Sequence, residues 1–139
     1  LQRLGLLTGD EEMSRRASSI VRAVAPALER QPSAFGRMLC AADRLLGAPI
    51  DVVVAGDPRS EEARALREAA SAPYVPDLVL TALGDADPHA AWPLYAGKVP
   101  RDGRSTAYAC RGYACDEPTT NPEQLATQVA TLASPAPTA

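Results

Sequence analysis

Apolar residues recur at helical spacing through the first third of the chain. Met13, Ala17, Ile20, Val21, Val24 and Leu28 share one helix face. Asp10 stands ahead of them as an N-cap, with Glu11 and Glu12 where the helix dipole favours carboxylates. Pro26 has no backbone donor, so a kink or an early end is expected near Arg22. Phe35, Met38, Leu39, Ala42, Leu45 and Leu46 form a second stripe, capped by Ser33 and stopped by Gly47. Two such helices joined by a short link pack as an antiparallel hairpin. Ahead of them, Leu4, Leu6 and Leu7 followed by Gly9 read as the last turns of another helix. With Leu1 rather than Met at the first position, the expectation is a fragment of a longer protein.

After Pro49 the period changes. Residues 50–55, IDVVVA, are a β-branched run closed by Gly56, suited to a strand buried on both faces of a parallel sheet. Asp57 and Pro58 read as N-cap and first residue of a helix through Leu66 and Ala69, ending before Pro73. Residues 78–83, LVLTAL, make a second strand, closed by Gly84 and Asp85. Strand, helix and strand of these lengths form a βαβ unit. The stretch 84–104 is broken by Pro88, Pro93 and Pro100, with a short helical turn expected around His89 to Tyr95 and a tight turn at Asp102 and Gly103. Residues 106–110, TAYAC, are the third strand. Asn121, Pro122 and Gln124 open a last helix with apolar Leu125, Val129 and Leu132.

The expected fold is α/β: an N-terminal helical hairpin, then a small, mostly parallel three-stranded sheet with flanking helices. The expected division is a hairpin over 1–47, an α/β segment over 48–133 and a disordered tail over 134–139. Hydrophobic residues are 46% of the 139, enough for a folded core. Much of that share is alanine and only 4% is aromatic, so elements must approach closely. Fourteen basic and seventeen acidic residues are interspersed, for a net charge of -3. That balance argues against nucleic acid or an anionic membrane as partner. No apolar run reaches membrane-helix length and no signal-peptide pattern is present. Three cysteines do not make a secreted disulfide scaffold, so a cytoplasmic location is expected.

Two places could carry chemistry. Cys110 and Cys115 flank four residues, CRGYAC. A thioredoxin-like couple has two intervening residues and opens a helix. Zinc would need further ligands, and only Cys40 and His89 remain, each far in sequence. Redox or disulfide chemistry, a metal, and plain packing of cysteine as a small hydrophobe therefore compete, with packing the favoured reading. Alternation places Thr106, Tyr108 and Cys110 on one face of the strand and Ala107 and Ala109 on the other. The second place is the carboxyl edge of the strands, where ligands bind in open α/β sheets. If the sheet is parallel, Asp57, Asp85 and Arg111 line that edge as ligand-binding candidates; the plainer reading makes each aspartate a cap. No nucleotide-binding glycine motif occurs, and no catalytic motif, metal site or cofactor is implied. His89 reads as a surface residue, and Trp92 and Tyr95 as packing on the sheet.

The order of a helix pair, GAPIDVVVAGDP, a strand, a proline-broken loop and DGRSTAYACRGYACDEPTTNPEQL resembles the C-terminal region of the thioredoxin-domain-containing proteins of the YyaL and spermatogenesis-associated type. The matching residues are Ala107, Tyr108, Cys110, Cys115, Pro118 and Pro122. The resemblance implies a parent of poorly defined activity, with an N-terminal thioredoxin domain and an (α/α)6 toroid like those of six-hairpin glycosidases. Residues 1–47 would then be the last toroid helices, and the upstream toroid and thioredoxin domains the natural partners. The implied role is a non-catalytic structural region. Alternatives are a thiol redox module using Cys110 and Cys115, or a small-ligand or carbohydrate module at the strand edge. Isolated, such a piece could form a homo-oligomer.

Overall fold

A computed structural model describes residues 1–84, 87–112 and 114–134. The chain divides into two units, residues 1–48 with 92–94, and 49–91 with the remainder from Tyr95.

The first unit is helical. Helix α1 (Gln2–Thr8) ends at Gly9, whose left-handed backbone (φ 70°) lets the chain turn directly into α2 (Glu11–Arg30). Asp10 caps α2 as expected, its Oδ1 accepting from the Met13 amide at 3.0 Å. Of the two outcomes expected at Pro26, a kink or an early end, the early end does not occur, and the helix continues to Arg30. Gly5 lets α1 and α2 meet closely: a Cβ there would lie 2.6 Å from Ser14 Oγ. A 3-10 helix (Pro32–Phe35) fills the link before α3 (Gly36–Leu46), so Ser33 lies inside that turn and does not cap α3. The Gln2 side chain donates to the Ala41 carbonyl and ties α1 to α3. Leu6, Ala17 and Leu28 are buried, but α3 buries no residue, and Leu4, Ile20, Leu39 and Leu46 are exposed.

The second unit holds the sheet. Strands β1 (Ile50–Ala55), β2 (Leu78–Leu83), β3 (Thr106–Arg111) and β4 (Ala114–Cys115) run in the order β2-β1-β3-β4. The expected sheet was three-stranded and mostly parallel; the observed one has four strands and is mixed. Only β1 and β2 are parallel, while β1–β3 and β3–β4 are antiparallel. The direction of β3 is set by its pairing with β1, whereas the fourth strand is a local addition. Gly112, with φ 56°, opens a two-residue connection that folds the chain back on β3 and creates β4.

One face of this sheet is an apolar core. Val52 and Val54 of β1 and Ala107 and Ala109 of β3 pack on Ala63, Leu66 and Ala70 of α4 (Glu61–Ser71) and Leu125 and Val129 of α5 (Pro122–Ala133). All are essentially inaccessible, and the alanines bring the helices close to the strands. Helix α4 begins three residues later than expected. Ser60 is its N-cap, accepting from Ala63 N at 3.0 Å, while Asp57 and Pro58 form the turn before it. Asn121 caps α5 as expected, but Gln124 accepts from Thr119 Oγ1 rather than completing a capping box. The tight turn at Asp102 and Gly103 is present, both at positive φ, between the bridged Arg101 and Arg104. Five residues of the tail anticipated over 134–139 lie outside the described residues.

Candidate functional site

The second face of the sheet is where polar chemistry collects. Alternation sends Asp51, Val53 and Ala55 of β1 to the side opposite Val52 and Val54, and Thr106, Tyr108 and Cys110 of β3 to the side opposite Ala107 and Ala109. The expected split of the third strand is therefore present. The segment after the prolines covers part of this face. Tyr108 donates its hydroxyl to the Val99 carbonyl (2.7 Å) and accepts from the Val99 amide (3.3 Å). The Arg101 amide donates to Thr106 Oγ1 at 2.9 Å, and its guanidinium stands 5.9 Å from the Tyr108 ring centroid.

Cys110 and Cys115 face each other across β3 and β4 and form a disulfide, with Cα atoms 3.9 Å apart. Two residues with four between them are brought together because the hairpin places them in register. The favoured reading, packing as a small hydrophobe, describes only Cys110, which is 1% exposed; Cys115 is exposed. The third cysteine, Cys40, is a free exposed thiol in the helical unit. Among the described residues no group of three histidine, cysteine or acidic side chains could hold a metal.

Asp51 is the residue that sequence reasoning passed over. It lies directly opposite Cys110 in the β1–β3 register and is 2% exposed. Facing residues on antiparallel strands hold their Cβ atoms about 4.5–5.5 Å apart. Its Oδ2 is buried with no hydrogen-bond partner among the described residues, as is Thr81 Oγ1 on β2, which projects to the same face. Burial pushes the Asp51 carboxyl from 3.8 up to about 6, against the opposing pull of Lys98. The run IDVVVA concealed this aspartate because its neighbours made the whole segment read as apolar. The one signal available was a carboxylate inside an otherwise apolar strand; that it faces Cys110 follows only from the β1–β3 register.

The strand-edge candidates do not converge. Because β3 is antiparallel to β1, its carboxyl end sits beside Ile50 and Pro49, where Gly112 N donates to the Pro49 carbonyl. Arg111 is thus at the opposite end of the sheet from Asp57. Its Nη1 donates to the Leu132 carbonyl (2.7 Å) and the Ser134 carbonyl (3.3 Å), closing the end of α5. Asp57 accepts from the Arg59 amide at 2.9 Å and shapes the turn before α4. Asp85 lies outside the described residues. Beside Gly56 stands Ser105, whose Oγ is 3.1 Å from Ser60 Oγ and whose amide donates to Glu62, itself paired with Arg104. His89 is exposed and its amide donates to Asp87 Oδ1. Among the described residues no helix is long and apolar enough to cross a membrane.

The chain is 28% identical over 129 residues to spermatogenesis-associated protein 20 of Rattus norvegicus. It is 27% identical to the proteins of that name from Homo sapiens and Mus musculus. The match covers 90% of this chain and 16% of each relative, so the chain spans about one sixth of their length. No family model and no solved structure matches the chain.

Proposed function

We propose that this chain serves as a non-catalytic structural region at the C-terminal end of a larger thioredoxin-domain-containing protein. In this reading its helical unit packs against the remaining helices of an α/α toroid. The observation that carries it is the apolar surface of that unit. Helix α3 has no fully buried residue, its Met38, Ala41 and Ala42 being only half-buried, and Leu4, Ile20, Leu39 and Leu46 stand open, Leu46 at 89% exposure. Scattered exposed leucines are ordinary, but an amphipathic helix with no fully buried residue leaves part of its apolar stripe for a further partner to cover. The matched relatives, about six times as long as this chain, supply room for one. The test is expression of residues 1–139 alone, followed by sedimentation and binding of a hydrophobic dye. Self-association or strong dye binding, relieved when the upstream region of the relatives' type is joined to it, is the expected result. A monomer that unfolds in one cooperative transition and binds no dye would overturn it.

A second reading is favoured by the disulfide: a thiol redox module using Cys110 and Cys115. Cys115 is an exposed residue and Cys110 a buried one, an asymmetry that would direct thiol exchange to one side of the pair. In a reducing cytoplasm, disulfides are mostly transient, catalytic or redox-sensing. A cytoplasmic location, itself part of this proposal, would therefore make the pair a working couple. Titration of thiols before and after mild reductant tests it. Two thiols that appear on reduction and disappear on reoxidation support the couple; two that resist reduction in the folded chain remove it.

A further inference from the structure

We infer that Asp51 is the proton donor and acceptor for Cys110 when the Cys110–Cys115 disulfide exchanges with an external thiol. This rests on the redox reading above and deepens it.

Exposure sets the direction of attack. The exposed residue of the pair is Cys115, on the edge strand β4, while Cys110 is 1% exposed, so attack by an external thiolate falls on Cys115 Sγ. The thiolate's electron pair forms a new bond to Cys115 Sγ, the Cys110–Cys115 bond breaks, and that pair leaves on Cys110 Sγ. A thiolate generated there is buried, and an ordinary cysteine has its pKa near 8.5, higher when desolvated. It requires a proton from a group already inside. Asp51 is the facing residue on β1, buried, with Oδ2 uncommitted to any hydrogen bond among the described residues. Transfer of its proton gives the Cys110 thiol and the Asp51 carboxylate. A second external thiol then attacks the mixed disulfide at its external sulfur, releasing Cys115 as thiolate. The sum is one protein disulfide and two thiols giving one protein dithiol and one external disulfide. In reverse, Asp51 removes the Cys110 proton so that Cys110 can attack the mixed disulfide on Cys115.

The surroundings suit this role. On β2 the residues of the same face are Val79, Thr81 and Leu83, none of which titrates. On β3 the titratable neighbour is Tyr108, whose hydroxyl is held by Val99. The charged group that acts on Asp51 is Lys98, and its pull lowers the carboxyl's affinity for a proton while burial raises it; burial prevails. The carboxyl therefore exchanges its proton near pH 6, where donor and acceptor forms are both populated. A structural aspartate would be expected to hold hydrogen bonds with both oxygens.

The test follows reduction of the full 139-residue chain by dithiothreitol between pH 5 and 8, in a Cys40→Ser background that removes the remaining thiol. Rates are expressed per dithiothreitol thiolate. The expected profile is high at pH 5, falls with a midpoint near 6 and levels above it. Asp51→Asn should flatten the profile and lower the pH 5 rate by about 100-fold, the lower end of general-acid effects, while Asp57→Asn follows the parent. A flat profile in the unsubstituted Asp51 chain, or an Asp51→Asn profile that keeps the break, overturns the role of Asp51 even if exchange is fast and reversible. A disulfide that no thiol reduces in the folded chain overturns the redox reading itself. The parent profile alone decides the matter if Asp51→Asn does not fold.

Discussion

The two faces of the sheet are cut from the same strands yet obey different rules. On one, Val52, Val54, Ala107 and Ala109 meet Ala63, Leu66 and Ala70 of α4 and Leu125 and Val129 of α5 in a buried hydrophobic cluster. On the other, one residue along in each strand, lie Asp51, Thr81, Tyr108 and Cys110. The first face could be repacked with other aliphatics of equal volume at little cost. The second contains two buried polar atoms, Asp51 Oδ2 and Thr81 Oγ1, without partners among the described residues, each unfavourable to the fold; a third, Gln128 Oε1, lies on α5 rather than on a strand. A single step in strand parity thus separates the side that holds the unit together from the side able to do chemistry.

The sharpest way to break this contrast is on the apolar face. Leu125 is fully buried between α5, α4 and the sheet, and Leu125→Ala should cost about 2–5 kcal/mol in urea unfolding. A loss under 1 kcal/mol would mean that this face is not the core.

Next comes the pH dependence of Asp51. Its carboxyl loses its proton near 3.8 when unfolded and near 6 when folded, so between those values the folded chain binds more protons. Stability falls as pH rises through that window, and the deficit above it is about 3 kcal/mol. Asp51→Asn should match the parent near pH 3.5 and exceed it by up to that amount at pH 7.5. A stability difference independent of pH would contradict a buried, raised carboxyl.

Breaking the disulfide should have a smaller effect. The loop it closes is short, so Cys115→Ser should cost about 2 kcal/mol under oxidising conditions. With reductant present, parent and variant should converge; a persistent gap would assign the loss to packing at Cys115. Smallest is Thr81→Val, which removes the unpartnered hydroxyl while keeping the shape. It should be neutral or stabilising by about 1 kcal/mol. A clear loss would reveal a hydrogen bond from this threonine in solution.

Much of the local structure was legible in advance. Asp10 and Asn121 cap the helices that their sequence context announced, because a short polar side chain before an apolar stripe satisfies amides within one turn. Asp57 and Ser33 misled for the same reason. Several residues in each segment could accept those amides, and the tertiary fit selected Ser60 in one case and no side-chain cap in the other. Of the candidate site, the cysteines were visible and Asp51 was not.

The sequence by itself determined which residues alternate and which repeat at 3.6, since both periods follow from backbone geometry. It therefore set the apolar face, the partition of β3 and the approximate extent of each helix. It could not decide the direction of β3. A strand of period two reads alike in either direction, and the connection over 84–105 is long enough to return the chain either way. Tertiary structure made that choice, and the choice moved Arg111 away from Asp57. The same choice set Asp51 opposite Cys110 and folded Cys115 back beside it. Those three residues meet through strand register, a property of pairing between segments that no single segment contains.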